Sequence, residues 1–265
     1  MIRDSKLADE RREAGPIECW CLHGSVGLAS DWRELSAKLA EGQISSRAVD
    51  LWRFLECDPM RLAEFAAAFN ADASGQANRG QCRILVGYSM GGRLALHALL
   101  EKSSPWQAAV IIGAHPGLEN EAQRAQRAAA DAQWATRALM DSWPDFLAAW
   151  DSQPILQGGA IRDGKERSRL QLRRREIARS FVDWSLGAQE PLWNRLPEIK
   201  IPVFWITGEQ DEKFGAIAER ACALIAGAHH AVAPASGHRV PWENPDWLLD
   251  QISHFALRGN FAFGE

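Results

Sequence analysis

The chain has 265 residues, of which 46% are hydrophobic, and its formal net charge is −4. This length and hydrophobic fraction suit an α/β enzyme that has one large core and an insertion. The small net charge argues against nucleic-acid and membrane-surface proteins, and no apolar run is long enough to span a bilayer.

The cysteines and the first residues bear on the cellular compartment. The five cysteines are an odd number, and no two of them are spaced as Cys-x-x-Cys. This usage is typical of a reducing compartment rather than of a disulfide scaffold. The stretch from Met1 to Gly15 is charged and lacks the apolar core of a signal peptide. We therefore predict a cytoplasmic protein.

Short apolar runs alternate with helical patterns over much of the chain. Strands are predicted at residues 17–22, 47–51, 108–112, 201–207 and 228–233, and in the apolar run that ends at Val86. Helices are predicted at residues 31–39, 60–69, 94–100 and 247–257, with a loop at 71–81. Continuous apolar strands that alternate with helices predict a doubly wound parallel sheet whose two faces are covered.

The character of the sequence changes between residue 119 and about residue 197. Arg, Ala, Gln and Trp dominate this stretch, and no clear strand is visible in it. Helices are predicted at residues 119–136, 137–150 and 164–179. We expect a helical cap at 119–197 over the carboxyl edge of the sheet, which divides the core into a first part, 1–118, and a second part, 198–265.

The sequence Gly-Tyr-Ser-Met-Gly at residues 87–91 lies between an apolar run and a helix-like run. A strand, a sharp turn and a helix around Gly-x-Ser-x-Gly form a nucleophile elbow. The turn holds Ser89 in strained geometry with its hydroxyl exposed, and bulk at Gly87 or Gly91 would clash with neighbouring elements. A Gly-rich turn with a capping serine is the alternative, but the strand before it and the helix after it favour the nucleophile.

A serine hydroxyl needs an imidazole as its base, and the imidazole needs an acid that fixes its tautomer. In elbow enzymes these partners follow the serine in the order acid, then histidine, in loops after later strands. Asp211 and His238 fit this order, and Glu209 and Glu212 are rival acids. The other histidines lie within predicted helices or strands, or precede the acid: His23, His97, His115, His229, His230 and His254.

Backbone groups next to the serine are expected to form an oxyanion hole. One N–H group belongs to Met90, the residue after the proposed nucleophile. The second belongs to Ser25, which follows a His-Gly pair after the first predicted strand. An ordinary turn at the end of that strand is compatible with this role.

Two arginines indicate an anionic substrate that carries carboxylates. Arg93 lies one helical turn after Ser89, and Arg127 lies in the predicted cap. A solvated role for Arg127 fits the pattern equally well. Together the two side chains could hold carboxylates through charge-assisted hydrogen bonds.

Four motifs make the chain resemble a known enzyme family. They are Gly-Tyr-Ser-Met-Gly-Gly-Arg at 87–93, His-Pro-Gly-Leu at 115–118, Gly-Glu-Gln-Asp-Glu-Lys-Phe at 208–214, and Gly-His with Glu-Asn-Pro within 237–245. From about Ile17 onward the chain resembles the α/β-hydrolase fold. The Gly-Gly-Arg extension and His-Pro-Gly-Leu resemble, more narrowly, the 2-succinyl-6-hydroxy-2,4-cyclohexadiene-1-carboxylate synthases of menaquinone biosynthesis. The resemblance implies a mostly parallel sheet with an inserted helical cap.

The resemblance also implies an activity and roles for particular residues. The family eliminates pyruvate from 2-succinyl-5-enolpyruvyl-6-hydroxy-3-cyclohexene-1-carboxylate, and its triad serine acts as a base that is not acylated. Residue by residue, the family's triad corresponds to Ser89, Asp211 and His238, and its substrate-binding residues correspond to Tyr88, Arg93, Arg127 and Trp150.

Two segments depart from the family pattern and leave the exact substrate open. Where the family usually has Asp-Leu-Pro-Gly, this chain has Asp-Leu-Trp-Arg at residues 50–53. The residue after Trp150, usually aromatic, is Asp151. We expect both segments to border the pocket, although core or cap packing is the default interpretation for Trp52.

The sequence therefore favours a pyruvate-eliminating synthase without a cofactor that acts on a small anionic substrate. No cluster with metal-ligand spacing and no nucleotide-binding loop is visible, and neither nucleic acid nor a membrane is expected as a partner. The first alternative is a carboxyl-ester or related hydrolase in which Ser89 becomes acylated. A non-catalytic binding protein is the second, but such a protein has no need of all three triad residues.

Overall fold

The computed structural model describes residues 15–76, 80–156 and 164–258. Within these residues six strands form one sheet: β1 Ile17–Leu22, β2 Ser45–Val49, β3 Cys82–Tyr88, β4 Ala108–Ile112, β5 Val203–Gly208 and β6 His229–Ala233. Their order across the sheet is β2-β1-β3-β4-β5-β6, and all neighbouring strands are parallel. The predicted parallel, doubly wound sheet is confirmed.

Helices flank the sheet and fill the long connection between β4 and β5, which we call the insertion. The first core helices are α1 Arg33–Glu41, α2 Leu62–Gly75 and α3 Met90–Leu99. The insertion contains α4 Glu121–Met140, α5 Trp143–Asp151, α6 Gly164–Ser168 and α7 Arg174–Asp183. After β5 come α8 Glu212–Leu224, α9 Val240–Glu243 and α10 Pro245–Arg258. Among the described residues, no helix has the length and apolarity needed to cross a membrane.

Side chains that alternate along the strands build a separate core layer on each face of the sheet. All residues of β3 are buried; Leu85 belongs to one layer, and Ile84 and Val86 belong to the other. In the first layer the rings of Phe69 and Trp106 stack with their centroids 5.3 Å apart. Each large apolar side chain buried in this way contributes about 1.5–3 kcal/mol of hydrophobic stabilisation. The central strands are therefore a rigid support for the loops at their ends.

A helix-capping hydrogen bond and aromatic contacts stabilise the helices of the insertion. The side chain of Asn120 accepts a hydrogen bond from the N–H group of Gln123 at 3.0 Å and thereby caps α4. Helix α4 packs against α7, and the ring of Trp134 lies 5.1 Å from that of Trp150 on α5. The described part of the insertion contains no strand, as the sequence indicates. The division into a core and a cap domain stays a prediction.

Several element boundaries differ from the sequence-based prediction; the helices predicted at 119–136 and 137–150, for example, are Glu121–Met140 and Trp143–Asp151. Two differences have a clear local cause. The strand expected at 47–51 is Ser45–Val49, because Asp50 leaves the strand and its side chain accepts a hydrogen bond from the N–H group of Trp52 at 3.1 Å. That bond begins a short 3₁₀ helix at Leu51–Leu55. The helix expected at 60–69 is Leu62–Gly75. It continues into the predicted loop because buried Asn70 donates to the carbonyl of Ala98 at 2.8 Å and accepts from Trp106 Nε1 at 2.9 Å, contacts that local propensity does not reveal.

Two histidines, of which His115 is buried and His97 half-buried, predict a loss of stability in mild acid. Burial above all, and next the charge of Arg93, lowers the pKa of His97 to about 4. Burial and then Lys213 lower the pKa of His115 to about 4 as well. Both stay neutral in the folded protein while the unfolded chain takes up their protons below about pH 6.5. Stability is thus lost as pH falls from about 6.5 towards 4, by about 2 kcal/mol for each histidine.

Urea unfolding at pH 7 and pH 4.5 measures this loss. We expect His97→Gln to reduce the difference between the two unfolding free energies by about 2 kcal/mol, because the variant has one proton fewer to bind on unfolding. The matched control is His254→Gln, at an exposed position on α10. An unchanged pH dependence in His97→Gln would show that this histidine does not contribute to the acid sensitivity.

Candidate active site

Ser89 lies at the sharp turn between β3 and α3. Its backbone angles are φ 52° and ψ −110°, a left-handed conformation that costs a residue with a side chain about 1–3 kcal/mol. The turn is held by a hydrogen bond of 2.8 Å from the N–H group of Ser89 to the carbonyl of Ile112. A Cβ atom at Gly91 would lie only 2.4 Å from the carbonyl oxygen of Leu22. The glycine therefore permits the close approach that the strained turn requires.

Three side chains form a hydrogen-bonded chain at the carboxyl edge of the sheet. His238 Nε2 lies 3.1 Å from Ser89 Oγ, and His238 Nδ1 lies 2.7 Å from Asp211 Oδ2. His238 and Asp211 are 6% and 8% exposed, so water competes little for these bonds. A carboxylate accepts a hydrogen bond from the protonated Nδ1, which leaves Nε2 free to accept a proton from the serine hydroxyl. The structure thus brings together the three residues that the sequence selected.

The rival acids lie elsewhere in the same loops. Glu209 Oε2 accepts a hydrogen bond of 2.9 Å from the N–H group of Ala235, in the loop that leads to His238. Glu212 is exposed at the start of α8. Glu209 therefore supports the loop that carries the histidine, while Asp211 contacts the ring itself.

Three of the other histidines hold backbone or side-chain groups in place. His23 Nε2 accepts a hydrogen bond from the N–H group of Leu51 at 3.3 Å. His115 Nδ1 accepts one from the N–H group of Gly117 at 2.9 Å. His230 Nε2 lies 2.7 Å from the hydroxyl oxygen of Thr207 on the neighbouring strand. These hydrogen bonds give the three histidines structural roles rather than the role of the catalytic base.

The predicted site residues surround one cavity of about 310 Å³. Eight of the nine line it: Ser25, Tyr88, Ser89, Met90, Arg93, Arg127, Trp150 and His238. The ninth, Asp211, is bonded to the far side of the His238 ring. Residues from the core and from the insertion meet at this cavity because the carboxyl ends of β1, β3 and β6 point towards the insertion helices. Their roles in binding or catalysis are proposals.

The loop that carries Ser25 is fixed by a tryptophan from the segment after β2. Trp52 Nε1 donates a hydrogen bond of 2.9 Å to the carbonyl of Gly27, and the Trp52 ring lies 5.0 Å from that of His23. The chain runs from β1 to β2 on one side and then returns to β3 on the other side of β1. The loop after β1 and the Ser89 turn after β3 therefore lie side by side. Ligands of open α/β sheets bind at such a reversal.

The two predicted arginines share the cavity with one carboxylate, that of Asp131, among the described residues that line it. Arg93 is buried and donates to Gln189 Oε1 at 3.0 Å and to the carbonyl of Trp184 at 2.7 Å. No described residue places a carboxylate oxygen within 4.0 Å of it. Arg127 Nε donates to Asp131 Oδ1 at 2.8 Å. Burial, and after it the charge of Arg127, lowers the pKa of Arg93, so a bound anion would stabilise the charged guanidinium.

The expectation that both departing segments border the pocket is wrong. Trp52 is buried in the core beneath the first loop, and Arg53 points outward to Asp72. Asp151 is not among the lining residues, and its Oδ1 accepts a hydrogen bond of 2.8 Å from Arg239 Nη2. Arg239 does line the cavity, and the sequence analysis missed it. The available signal was its position directly after His238.

A metal centre was not expected from the sequence. In the described ranges, no group of three or more His, Cys, Asp or Glu side chains is arranged to hold a metal ion.

Comparison with known proteins assigns the family. A model described as the alpha/beta hydrolase family matches residues 21–251. The chain belongs to the alpha/beta hydrolase family. Relatives of this hydrolase in Escherichia coli O1:K1 and Citrobacter koseri are named 2-succinyl-6-hydroxy-2,4-cyclohexadiene-1-carboxylate synthase. The first is 34% identical over 64% of this chain and 66% of the relative; the second is 29% identical over 88% and 90%.

Solved structures show the same fold. MenH from S. aureus superposes with a TM-score of 0.82 at 21% identity, covering 92% of this chain and 96% of that one. An esterase from Exiguobacterium antarcticum superposes with a TM-score of 0.71 at 17% identity, covering 92% of each chain. The resemblance read from the motifs is confirmed, and this member of the alpha/beta hydrolase family is an enzyme. Relatives are named as synthases, and the esterase shares its fold.

Proposed function

We propose that this enzyme eliminates pyruvate from 2-succinyl-5-enolpyruvyl-6-hydroxy-3-cyclohexene-1-carboxylate. The observation that carries the proposal is the combination of a hydrogen-bonded Ser89–His238–Asp211 chain with excess positive charge in one cavity. The synthase names of the relatives support it. A cytoplasmic location and a small anionic substrate belong to the same proposal.

The bond changes follow from the chemical names of the substrate and the product. A proton leaves ring carbon 2, next to the succinyl carbonyl, and the electron pair of that C–H bond forms the 2,3 double bond. The 3,4 double bond moves to 4,5, and the bond from carbon 5 to the enolpyruvyl oxygen breaks. Pyruvate leaves as its enolate, and the 2,4-diene remains. The reaction needs a base at carbon 2 and stabilisation of two developing oxyanions.

The hydrogen-bonded chain supplies the base. His238 Nε2 accepts the hydroxyl proton of Ser89, and Ser89 Oγ then removes the proton from carbon 2. Asp211 holds the imidazole in the required tautomer and stabilises its charged form. The proton on His238 is available to the departing enolate, which becomes pyruvate. No covalent bond to the serine forms in this sequence of steps.

The oxyanion hole acts on the succinyl carbonyl. As carbon 2 loses its proton, negative charge develops on the neighbouring carbonyl oxygen. The N–H group of Met90 lies at the N-terminus of α3 and that of Ser25 in the facing loop, and both residues line the cavity. Two such donors fixed before the reaction stabilise the transition state more than the ground state.

Arg93 and Arg127 would bind the substrate's carboxylates, and their variants test the proposal. The substrate carries three carboxylates, which are costly to desolvate without partners. We expect Arg93→Ala and Arg127→Ala each to lower kcat/KM for the anionic ring by about 2–4 kcal/mol, and to affect a small neutral ester much less. Arg→Lys should restore only part of the loss, because an ammonium lacks the planar fork.

A matched control lies on the same helix. Arg137 Nε donates to Asp141 Oδ2 at 2.8 Å, in the same i,i+4 geometry as Arg127 and Asp131, but does not line the cavity. Arg137→Ala should therefore leave kcat/KM for the ring almost unchanged. The second candidate function is a carboxyl-ester hydrolase, which the Ser89–His238 distance also permits. Equal losses on the ester and on the ring would favour it over the synthase.

A further inference from the structure

Arg239 is a third arginine at the cavity, and it approaches from the side of the histidine. It follows His238 directly in the chain and is 6% exposed. Its Nη2 donates to Asp151 Oδ1 at 2.8 Å. Asp151 ends α5 and comes directly after Trp150, another lining residue. The pair therefore joins the loop that carries the proposed base to the insertion.

The charge of Arg239 is only partly compensated by this partner. Asp151 Oδ2 also accepts a hydrogen bond of 2.5 Å from Arg167 Nη1, so one carboxylate is shared by two buried arginines. A guanidinium has five N–H donors, and one hydrogen bond joins that of Arg239 to the described part of the chain. Desolvating a cation in this way is costly unless a ligand completes its hydrogen bonds.

The charges that line the cavity also favour a ligand with several negative charges. Among the described residues that line the cavity, three are arginines, namely Arg93, Arg127 and Arg239, and the one carboxylate is that of Asp131. Within the described residues, Arg93 donates only to neutral acceptors, and Arg127 donates to Asp131 through Nε alone. Each arginine thus retains N–H donors that a planar carboxylate could accept in pairs. A ligand with a single negative charge would leave most of them unused.

We propose that Arg239 binds a carboxylate of the substrate and that Asp151 is the positioning residue that orients its guanidinium. The ligand class is then a compact tricarboxylate, with one carboxylate each for Arg93, Arg127 and Arg239. This inference rests on the proposed function for the identity of the substrate, but the binding site itself does not require turnover. It also gives Asp151, which departs from the family pattern, a role through its partner.

Calorimetric titration with propane-1,2,3-tricarboxylate tests the site without any catalysis. The wild-type protein should bind this probe, and Arg239→Gln should raise its Kd by at least about tenfold, the effect of losing one charge-assisted pair. Arg239→Lys should lose less. The matched control is Arg220→Gln, which removes an ion pair between α8 and Glu119 outside this cavity, and it should bind as the wild type does.

The role of Asp151 has its own readout. Asp151→Asn should raise the Kd of the probe less than Arg239→Gln does, since the arginine remains. In the double variant the Kd should be no higher than in Arg239→Gln alone, because Asp151 acts through Arg239. Near-ultraviolet circular dichroism checks that each variant keeps its native packing. Additive effects of the two substitutions would mean that Asp151 supports the fold instead.

Two outcomes would overturn the inference: no binding of the probe to the wild type, or equal Kd values for the wild type and Arg239→Gln. Failure of the proposed function is seen separately, by measuring the release of pyruvate from 2-succinyl-5-enolpyruvyl-6-hydroxy-3-cyclohexene-1-carboxylate. If the probe binds through Arg239 but the wild type releases no pyruvate, the tricarboxylate site is supported and the proposed synthase activity is contradicted. If pyruvate is released and Arg239→Gln changes neither the Kd of the probe nor the KM of the substrate, the role of Arg239 is contradicted and the synthase activity is supported.

Discussion

Ser89→Ala should lower kcat for pyruvate release by at least about 10⁴-fold, the scale for removing the central member of such a triad. The substitution deletes the oxygen that lies 3.1 Å from His238 Nε2 and leaves no group to carry the proton from carbon 2. The backbone turn should survive, since alanine meets the same strain at φ 52° as serine does. Steady-state kinetics with coupled pyruvate detection measures the loss.

The control for Ser89→Ala is the double variant with His238→Ala. Residues that act as one unit lose most of their effect at the first substitution, so the double variant should be little slower than either single one. The melting temperature should stay close to that of the wild type. Retention of most activity by either single variant would remove the triad from the mechanism.

Asp211→Asn should lower kcat by about 10³–10⁴-fold with little change in structure. The amide matches the carboxylate in shape but can donate a hydrogen to His238 Nδ1, which favours the tautomer with its proton on Nε2. That tautomer cannot accept the proton of Ser89. The lost negative charge also no longer stabilises the imidazolium, which the buried 2.7 Å contact would otherwise do.

Glu209→Gln and Glu212→Gln are the matched controls for the acid. Gln at 209 can still accept the hydrogen bond from Ala235, and residue 212 is exposed. Both variants should therefore keep kcat within a few-fold of the wild type. If one of them is the damaging change while Asp211→Asn is active, then the acid lies at that position instead.

The sequence predicted what depends on local pattern. Glycines at 87 and 91 around Ser89 predict a strained turn, because a Cβ atom at residue 91 would lie only 2.4 Å from the carbonyl oxygen of Leu22. The apolar runs at β3 and β4 predict central parallel strands, since all residues of both strands are buried. Loops that follow such strands must meet at one edge of the sheet, so chain order selected His238 and the loop of Asp211, while the contact with the His238 ring distinguishes Asp211 from Glu209 and Glu212.

The sequence could not predict what depends on distant partners. The acceptors of Arg93, Gln189 and the carbonyl of Trp184, lie more than 90 residues further along the chain. Asp151 pairs with Arg239 across 88 positions, and no periodicity connects them. The end of β2 was misplaced because a side-chain bond from Asp50 competes with strand pairing, which an apolar run does not reveal.

Release of pyruvate by the wild-type enzyme from 2-succinyl-5-enolpyruvyl-6-hydroxy-3-cyclohexene-1-carboxylate tests the central claim most directly. Pyruvate can be followed with lactate dehydrogenase and the ring diene by its absorbance, while mass spectrometry of the protein during turnover reports on Ser89. We expect equal amounts of pyruvate and diene, with Ser89 unmodified and both signals lost in Ser89→Ala. No pyruvate from this substrate, together with an acyl adduct on Ser89 from a carboxyl ester, would contradict it.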